Sequence, residues 1–479
     1  MLRQIAKPLV RLADRYIPSA FFFAVALTVI VALLSIFVMG SSPRDLVLAW
    51  GDSLAGLLAF MTQIALVLLL GFTLAHTALM QRLLGRAASL PKRPAAAYGF
   101  VTLITGVLSL INWGLGLIAG GIMAVQVAKA FKNRGVKLHY PLLVAAAYSG
   151  WVVFHMGYSG SAPLAAATEG NVYSDVPGGL VDVSRTIFST WNMIAVVLTL
   201  GAVTVAMMRL APSGDDVIIE APEALFVEEH LVLKTTRAER RAASRLAKAG
   251  DTYAGPEEAA AHPPTESVRT PADFIDAWRV PTLVIGAALG LYVVAHFSTR
   301  GFILTLDIVN WTFLSLVLLL VGNIRELTDL IGKGGRTVSD ILIQYPFYAG
   351  IIGMMTASGL AKSLSDFFIS FASPETLGLW AFLSAGLLNM FIPSGGGQFA
   401  VQGPIFADAA TGLGVDQSVV IMAIAYGDQW TNMIQPFWAI PLLAVAGLRV
   451  RDIMGYTVVT LLVSGVVFAA TMIIVGSGL

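Results

Sequence analysis

Two short stretches set hydrogen-bonding side chains beside helix breakers inside long apolar runs. They are Asn112-Trp113-Gly114-Leu115-Gly116 and Pro393-Ser394-Gly395-Gly396-Gly397-Gln398. Two more interrupt apolar runs of their own: Gly157-Tyr158-Ser159-Gly160-Ser161-Ala162-Pro163 and Asp428-Gln429-Trp430-Thr431-Asn432-Met433-Ile434-Gln435-Pro436. Glycine and proline are the poorest helix formers, so each stretch reads as a broken helix. A broken helix leaves N–H groups unpaired where its second half starts and carbonyls unpaired where its first half ends. The N–H end favours an anion such as a carboxylate, and the carbonyl end favours a cation. Glycine lets a ligand reach the backbone. Asn112, Ser159, Ser161, Asn389, Ser394, Gln398, Thr431, Asn432 and Gln435 supply directional hydrogen bonds, and Gly114, Gly395, Gly396 and Gly397 supply access.

Each of these residues also has a plain structural reading. Gly116-x-x-x-Gly120 suits close helix packing, Ser159 and Ser161 can bond back to their own helix, and Asp428 can cap. Ionisable groups in the apolar runs are few, with His76, His155 and Asp428 the clearest, and such groups are functional candidates by default. His155, Asp428 and Thr431 are therefore the candidates for binding a coupling ion, His155 as a proton carrier near neutral pH. Trp113, Trp430 and Phe399 offer surfaces for an alkyl tail. Gly114-x-Gly116-x-x-Ala119 imitates a dinucleotide fingerprint but has no strand before it. There is no phosphate-binding loop, nucleophilic triad, paired catalytic carboxylates or His/Cys metal spacing, so the chain reads as a non-enzyme without cofactor. No metal is implied beyond a Na⁺ that could serve, like H⁺, as coupling ion.

The elements that must hold these residues follow from composition. The chain has 479 residues, 57% hydrophobic and 12% charged, about half the charge of a soluble protein. Apolar runs of about 20 residues recur, enough for a hydrocarbon core about 30 Å thick. Continuous rather than alternating runs exclude a membrane barrel. The absence of cysteine excludes a disulfide framework, and a net charge of +1 argues against nucleic acid. The pattern predicts an all-α polytopic membrane protein of about nine transmembrane helices plus two re-entrant hairpins. Spans fall near 18–40, 57–80, 140–164, 187–209, 280–298, 302–322, 340–364, 418–446 and 453–476, and the hairpins near 95–128 and 376–411. Residues 211–278 form a hydrophilic insertion, with a solvated helix expected at 234–249 and flexible linker around it.

Basic clusters at Arg3, Lys7, Arg11 and Arg15, then Arg82, Arg86, Lys92 and Arg93, then Lys129, Lys132, Arg134 and Lys137 mark the cytoplasmic side. The N-terminus is expected inside and the C-terminus outside, in the cytoplasmic (plasma or inner) membrane. The first hairpin, turning at Asn112–Gly116, should enter from the cytoplasm. The second, flanked by Glu375, Asp408 and Asp416, should enter from the opposite face. The chain also repeats itself. "AYSGWVVFHMGYSGSAPL" at 147–164 matches "AYGDQWTNMIQPFWAIPL" at 425–442, placing Tyr148 against Tyr426 and Pro163 against Pro441. Upstream, Asn112 falls against Asn389 and Gly71 against Gly353. With one extra helix at 279–300 between repeat 1 (1–210) and repeat 2 (301–479), the second copy is inverted, the arrangement of secondary transporters.

The same stretches resemble the short-chain fatty acid transporter family. "INWGLGL", "GYSGSAPLAAAT", "QYPFYAGI", "PSGGGQFAVQGP", "MAIAYGDQWTNMIQPFWA" and "AGLRVRDIMGY" carry the likeness across the membrane portion, while the insertion diverges. The resemblance implies secondary active uptake of short monocarboxylates of the acetoacetate and butyrate class, by alternating access. It also implies substrate or cation sites at Asn112–Gly116 and Ser394–Gln398, with H⁺ or Na⁺ as driving ion. The partners are then a small carboxylate and the bilayer, with a homodimer open. A passive anion channel of the same fold, or a carrier of another organic anion such as a dicarboxylate, stands as the alternative.

Overall fold

The computed structural model describes residues 20–167, 176, 178–214, 216–223, 225, 275–301, 306–335 and 338–478, and these contain helices and no strand. The N-terminal basic residues and the helix expected at 234–249 lie outside the described residues. In chain order the first half contains α1 (Ala20–Phe37), α2 (Pro43–Ser53), α3 (Leu58–Ala75), α4 (Ala78–Ala88), α5 (Pro94–Ile111), α6 (Trp113–Asn133), α7 (Tyr140–Gly150), a 3-10 helix (Trp151–Met156), α8 (Ser161–Ala166) and α9 (Thr190–Arg209). There follow α10 (Val280–Arg300), α11 (Leu306–Leu320), α12 (Ile324–Gly335), α13 (Ser339–Ala357), α14 (Leu360–Ile369), α15 (Leu377–Asn389), α16 (Gly395–Leu413), α17 (Gln417–Thr431), α18 (Pro436–Ala446) and α19 (Val450–Gly476).

Among the described residues, α5, α6, α9, α10 and α19 are each long and apolar enough to cross a membrane alone. The span expected at 57–80 is instead two helices, with a 67° bend between their axes. His76 and Thr77 cause the break, because their side chains bond Phe72 O at 2.7 Å and Leu74 O at 2.7 Å and compete with continued helix. The span expected at 340–364 stops at Ala357, and Gly359, at φ +71°, opens α14. The short helices α2 and α12 carry too many charged residues to announce themselves as spans.

Both segments expected as hairpins are antiparallel helix pairs. In the first, Gly116 abuts Ser109 and Gly120 abuts Thr105, so the arms close on each other with only the small Ser109 and Thr105 side chains between them at these points. The expected five-residue turn is in fact Asn112 alone, and Gly114 and Gly116 are helical. Arms of 18 and 21 residues reach about 27 and 32 Å, so length alone does not make this pair re-entrant. The second pair is uneven, at 13 and 19 residues. Its shorter arm, about 20 Å long, falls short of a crossing.

The helices sort into two groups by packing. α1, α2 and α13 pack together, as do α3, α10, α11 and α12. The other group holds both hairpins, both broken helices, α9 and α19, and its densest contact is α15 on α17. α4 packs mainly on α6, and the contacts between the groups run through α3 against α6, α13 against α14, and α1 and α13 against α18. Exposed Val197, Leu198, Val284, Ile285, Leu291, Val466 and Ile474 give the periphery a surface suited to lipid.

Candidate functional site

At three of the four breaks a side chain caps the helix that follows; the break at Gly157–Gly160 has no side-chain cap. Asn112, in extended conformation, accepts from Leu115 N at 3.0 Å and so caps α6. Ser394 caps α16 through Gly397 N at 3.3 Å, and Gln435 caps α18 through Phe437 N at 2.8 Å. Asn112 and Asn389, matched in the sequence repeat, therefore do different work: the capping counterpart of Asn112 is Ser394. Asn389 sits at the end of α15 and donates to Asp428 O at 2.9 Å, Thr431 Oγ1 at 3.0 Å and Asn432 Oδ1 at 2.7 Å. It ties the second hairpin to the second broken helix.

The first hairpin is tied to the first broken helix in the same way. Ser159 accepts from Trp113 N at 2.9 Å, Tyr158 N donates to Leu110 O at 2.7 Å, and Trp151 Nε1 donates to Trp113 O at 2.9 Å. Neither Ser159 nor Ser161 bonds back to its own helix. The halves then meet: Tyr148 donates to Asn432 O at 2.7 Å, and Tyr426 donates to Asn192 Oδ1 at 2.8 Å. Asn192 in turn donates to Met156 O at 3.0 Å, satisfying the carbonyl at the end of the 3-10 helix.

At the centre lie His155 and Asp428, fully buried, with Nδ1 and Oδ2 3.0 Å apart. The pair is close but poorly aligned, since neither Asp428 oxygen makes a well-directed hydrogen bond and Ala425 O also lies 3.3 Å from Nδ1. On the other side of the ring, His155 Nε2 is 2.6 Å from Ser161 Oγ. The backbone N of His155 donates to Gln429 Oε1 at 2.9 Å. Gly395 covers this face: a Cβ there would lie 2.3 Å from His155 Cε1 and 2.6 Å from Ser161 Oγ. Gly396 is exposed and its nearest neighbour, Ser161 Cβ, is 3.9 Å away. Around this centre several buried polar atoms lack a hydrogen-bond partner: Asn389 Oδ1, Gln398 Oε1, Gln429 Nε2, Asn432 Nδ2 and Gln435 Nε2. Native interiors leave few such groups unmet unless a site uses them.

The other sequence candidates fall on either side of this line. Thr431 is bonded inward, to Gly386 O at 2.8 Å. Trp430 is turned away: Nε1 donates to Leu461 O at 2.7 Å, and its ring is clasped by Gly386 and Gly465. In this structure the ring packs between helices. Phe399 is wholly buried behind the tip. Gln398 spends its amide on Ala385 O at 2.8 Å and Gln402 Oε1 at 2.9 Å, bracing the hairpin arms. Gln402, Gln429, Asn192, Trp151 and Trp438 were not singled out in the sequence: Gln429 lies inside the interrupted stretch 428–436, and the others become part of the site only through packing. Trp113, Trp151 and Trp438 form an aromatic wall, with ring centroids 5.1 Å and 5.5 Å apart for the two pairs that involve Trp438.

No group of three or more His, Cys, Asp or Glu side chains able to hold a metal occurs among the described residues. A cavity of about 520 Å³ lies elsewhere, between α2 and α13, lined by Ala49, Asp52, Ser53, Gly353 and Thr356 among others. The broken helices and their unmet polar groups point instead to the centre where the two breaks meet.

The profile of the short chain fatty acid transporter family matches residues 1–475. A relative from Escherichia coli (strain K12), provisionally named a short-chain fatty acid transporter, is 37% identical over 98% of both chains. One from Haemophilus influenzae with the same provisional name is 34% identical over 99% of both. Among solved structures, the Alcanivorax borkumensis YdaH transporter, described as having an unusual topology, aligns over 96% of this chain and 98% of its own, with a TM-score of 0.45 and 15% identity. Neisseria gonorrhoeae MtrF, described with a class of antimetabolite efflux pumps, aligns over 96% and 97%, at 0.42 and 14%. With a full-length family match and two relatives above 30% identity, this integral membrane protein belongs to the short-chain fatty acid transporter family.

Proposed function

We propose that the protein is a secondary active carrier of short monocarboxylates, of the acetoacetate and butyrate class, driven by H⁺ or Na⁺. One observation carries the reading: two hairpin tips and two helix breaks converge on a buried centre rich in neutral donors. Among the described residues no Lys or Arg is buried. The substrate carboxylate is held by N–H groups at the start of α16, by Ser394, and by the amides of Gln429, Asn432 and Gln435. Its alkyl tail lies against the wall of Trp113, Trp151 and Trp438, whose size limits the tail.

Translocation is by alternating access between two inverted repeats, with the hairpin and broken-helix group moving against the group built on α3, α11 and α13. Sparse packing between the groups supports such a movement, because repacking few contacts costs little. The N-terminus is placed inside and the C-terminus outside, in the cytoplasmic membrane, by the basic clusters. The exposed apolar face of α10 serves either lipid or a second copy of the chain.

Counterflow tests the proposal. Labelled butyrate should enter proteoliposomes preloaded with unlabelled acetoacetate, faster than into protein-free liposomes and with saturation. Flux that never saturates and shows no exchange would establish the channel alternative, and exchange only with dicarboxylates would change the substrate class.

A further inference from the structure

We infer that the His155–Asp428 pair is a proton-binding site loaded once for each carboxylate carried, and that the tip of the second hairpin covers the atom that takes the proton. The inference rests on the carrier reading above and commits its coupling ion to H⁺. The two side chains come from different broken helices, His155 just before the first break and Asp428 just before the second, and meet with Nδ1 and Oδ2 3.0 Å apart at full burial. Such a pair reports on the relative position of the two halves.

The charge balance follows from what surrounds the pair. α8 presents Ser161, α15 presents Asn389, and the tip of α16 presents Ser394 and glycines. α7 presents Tyr148 and α17 presents Tyr426, both neutral phenols donating to Asn432 O and Asn192 Oδ1. The half-buried Tyr158, next to the break, is the remaining titratable neighbour. With Asp428 ionised and His155 neutral, the centre holds one negative charge and no cation. A carboxylate entering it meets like charge in a medium where charges interact far more strongly than in water. One added proton makes the pair neutral overall, and the neutral donors can then hold one anion.

The atom that takes the proton is also defined. Nδ1 lies between two acceptors, Asp428 Oδ2 at 3.0 Å and Ala425 O at 3.3 Å, and so keeps the ring hydrogen, which leaves the open lone pair on Nε2 to accept from the Ser161 hydroxyl. Protonation at Nε2 reverses that bond, so that Nε2 donates to Ser161 Oγ and frees the hydroxyl hydrogen for the substrate carboxylate. Gly395 lies over this same edge of the ring. The proton enters when the tip is lifted, and substrate then binds between the tip and the ring.

Proton uptake on ligand binding is the direct test, since butyric acid crosses lipid unaided and blurs gradient experiments. Purified protein in weakly buffered detergent at pH 8, mixed with butyrate in the presence of a pH indicator, should take up one proton per butyrate bound. The butyrate Kd should rise about tenfold per pH unit at high pH. The double variant H155Q/D428N should bind with a pH-independent Kd and take up none. Binding by the wild type without proton uptake overturns the inference, whether or not the variant folds, and so does unchanged uptake by the double variant. Wild type that binds no short carboxylate at all would instead overturn the carrier reading.

Discussion

Position 395 leaves no room for a side chain. A methyl group there would overlap the His155 ring and Ser161 Oγ, while at 396 it would make only an ordinary contact, 3.9 Å from Ser161 Cβ. Gly395→Ala is therefore expected to cut butyrate exchange by about tenfold or more, the scale of an overpacking penalty, at unchanged expression. Gly396→Ala should exchange normally, and equal loss in both would remove the tip from the mechanism. The helix cap at Asn112 makes a different prediction. Asn112→Ala should lower stability in detergent by about 1 kcal/mol, measured by denaturant titration, and Asn112→Ser should restore most of it. Trp430→Phe forfeits the bond to Leu461 O and should also cost about 1 kcal/mol of stability, yet leave the butyrate Kd unchanged. A shifted Kd would put Trp430 back at the substrate.

Among the elements, the described start of the insertion acts as a strap. Ile219 O accepts from Tyr140 N at 2.7 Å, Ile219 N donates to His139 Nδ1 at 3.1 Å, and Glu223 pairs with Lys132 at 2.9 Å. Leu225 packs on Gly447 at the end of α18. His139 Nε2, 2.9 Å from Tyr456 Oη, carries the hydrogen, because Nδ1 is occupied as an acceptor. Burial holds His139 below its ordinary value of 6.5, and nearby Asp216 only partly offsets this. A histidine depressed in the folded state stabilises it at higher pH, and that contribution is lost as pH falls below about 6.5. The Ile219 amide should therefore lose hydrogen-exchange protection toward pH 5, after correction for intrinsic rates, and His139→Gln should flatten the change. This strap was invisible in the sequence, because a short extended segment bonded to a helix start leaves no periodic pattern. The broken helices were legible because Gly and Pro inside apolar runs have one physical meaning. The pairing of His155 with Asp428 was not, because it depends on how two distant segments pack. The length of the first turn was misjudged for a related reason: one capping asparagine does what five residues were expected to do.

At the scale of the whole molecule, the two packing groups touch where Gly71 of α3 faces Ile118 of α6. A Cβ on Gly71 would lie 3.6 Å from Ile118 Cβ, within the range a disulfide spans. Since the chain has no cysteine, Gly71→Cys/Ile118→Cys can be oxidised without side reactions, and exchange should stop on oxidation and return on reduction. Gly121→Cys/Val445→Cys, with a Cβ separation of 3.5 Å across the two halves of the other group, should leave exchange intact. Arrest by both pairs would mean that the groups do not move as units. The wall of Trp113, Trp151 and Trp438 has a separate use as an optical gauge. Its three indoles come from the first hairpin, the first broken helix and the second, with rings 5.1 Å and 5.5 Å apart. Any shift of these elements changes the overlap of the rings, so the protein's own ultraviolet emission should report occupancy and conformational state without an attached dye.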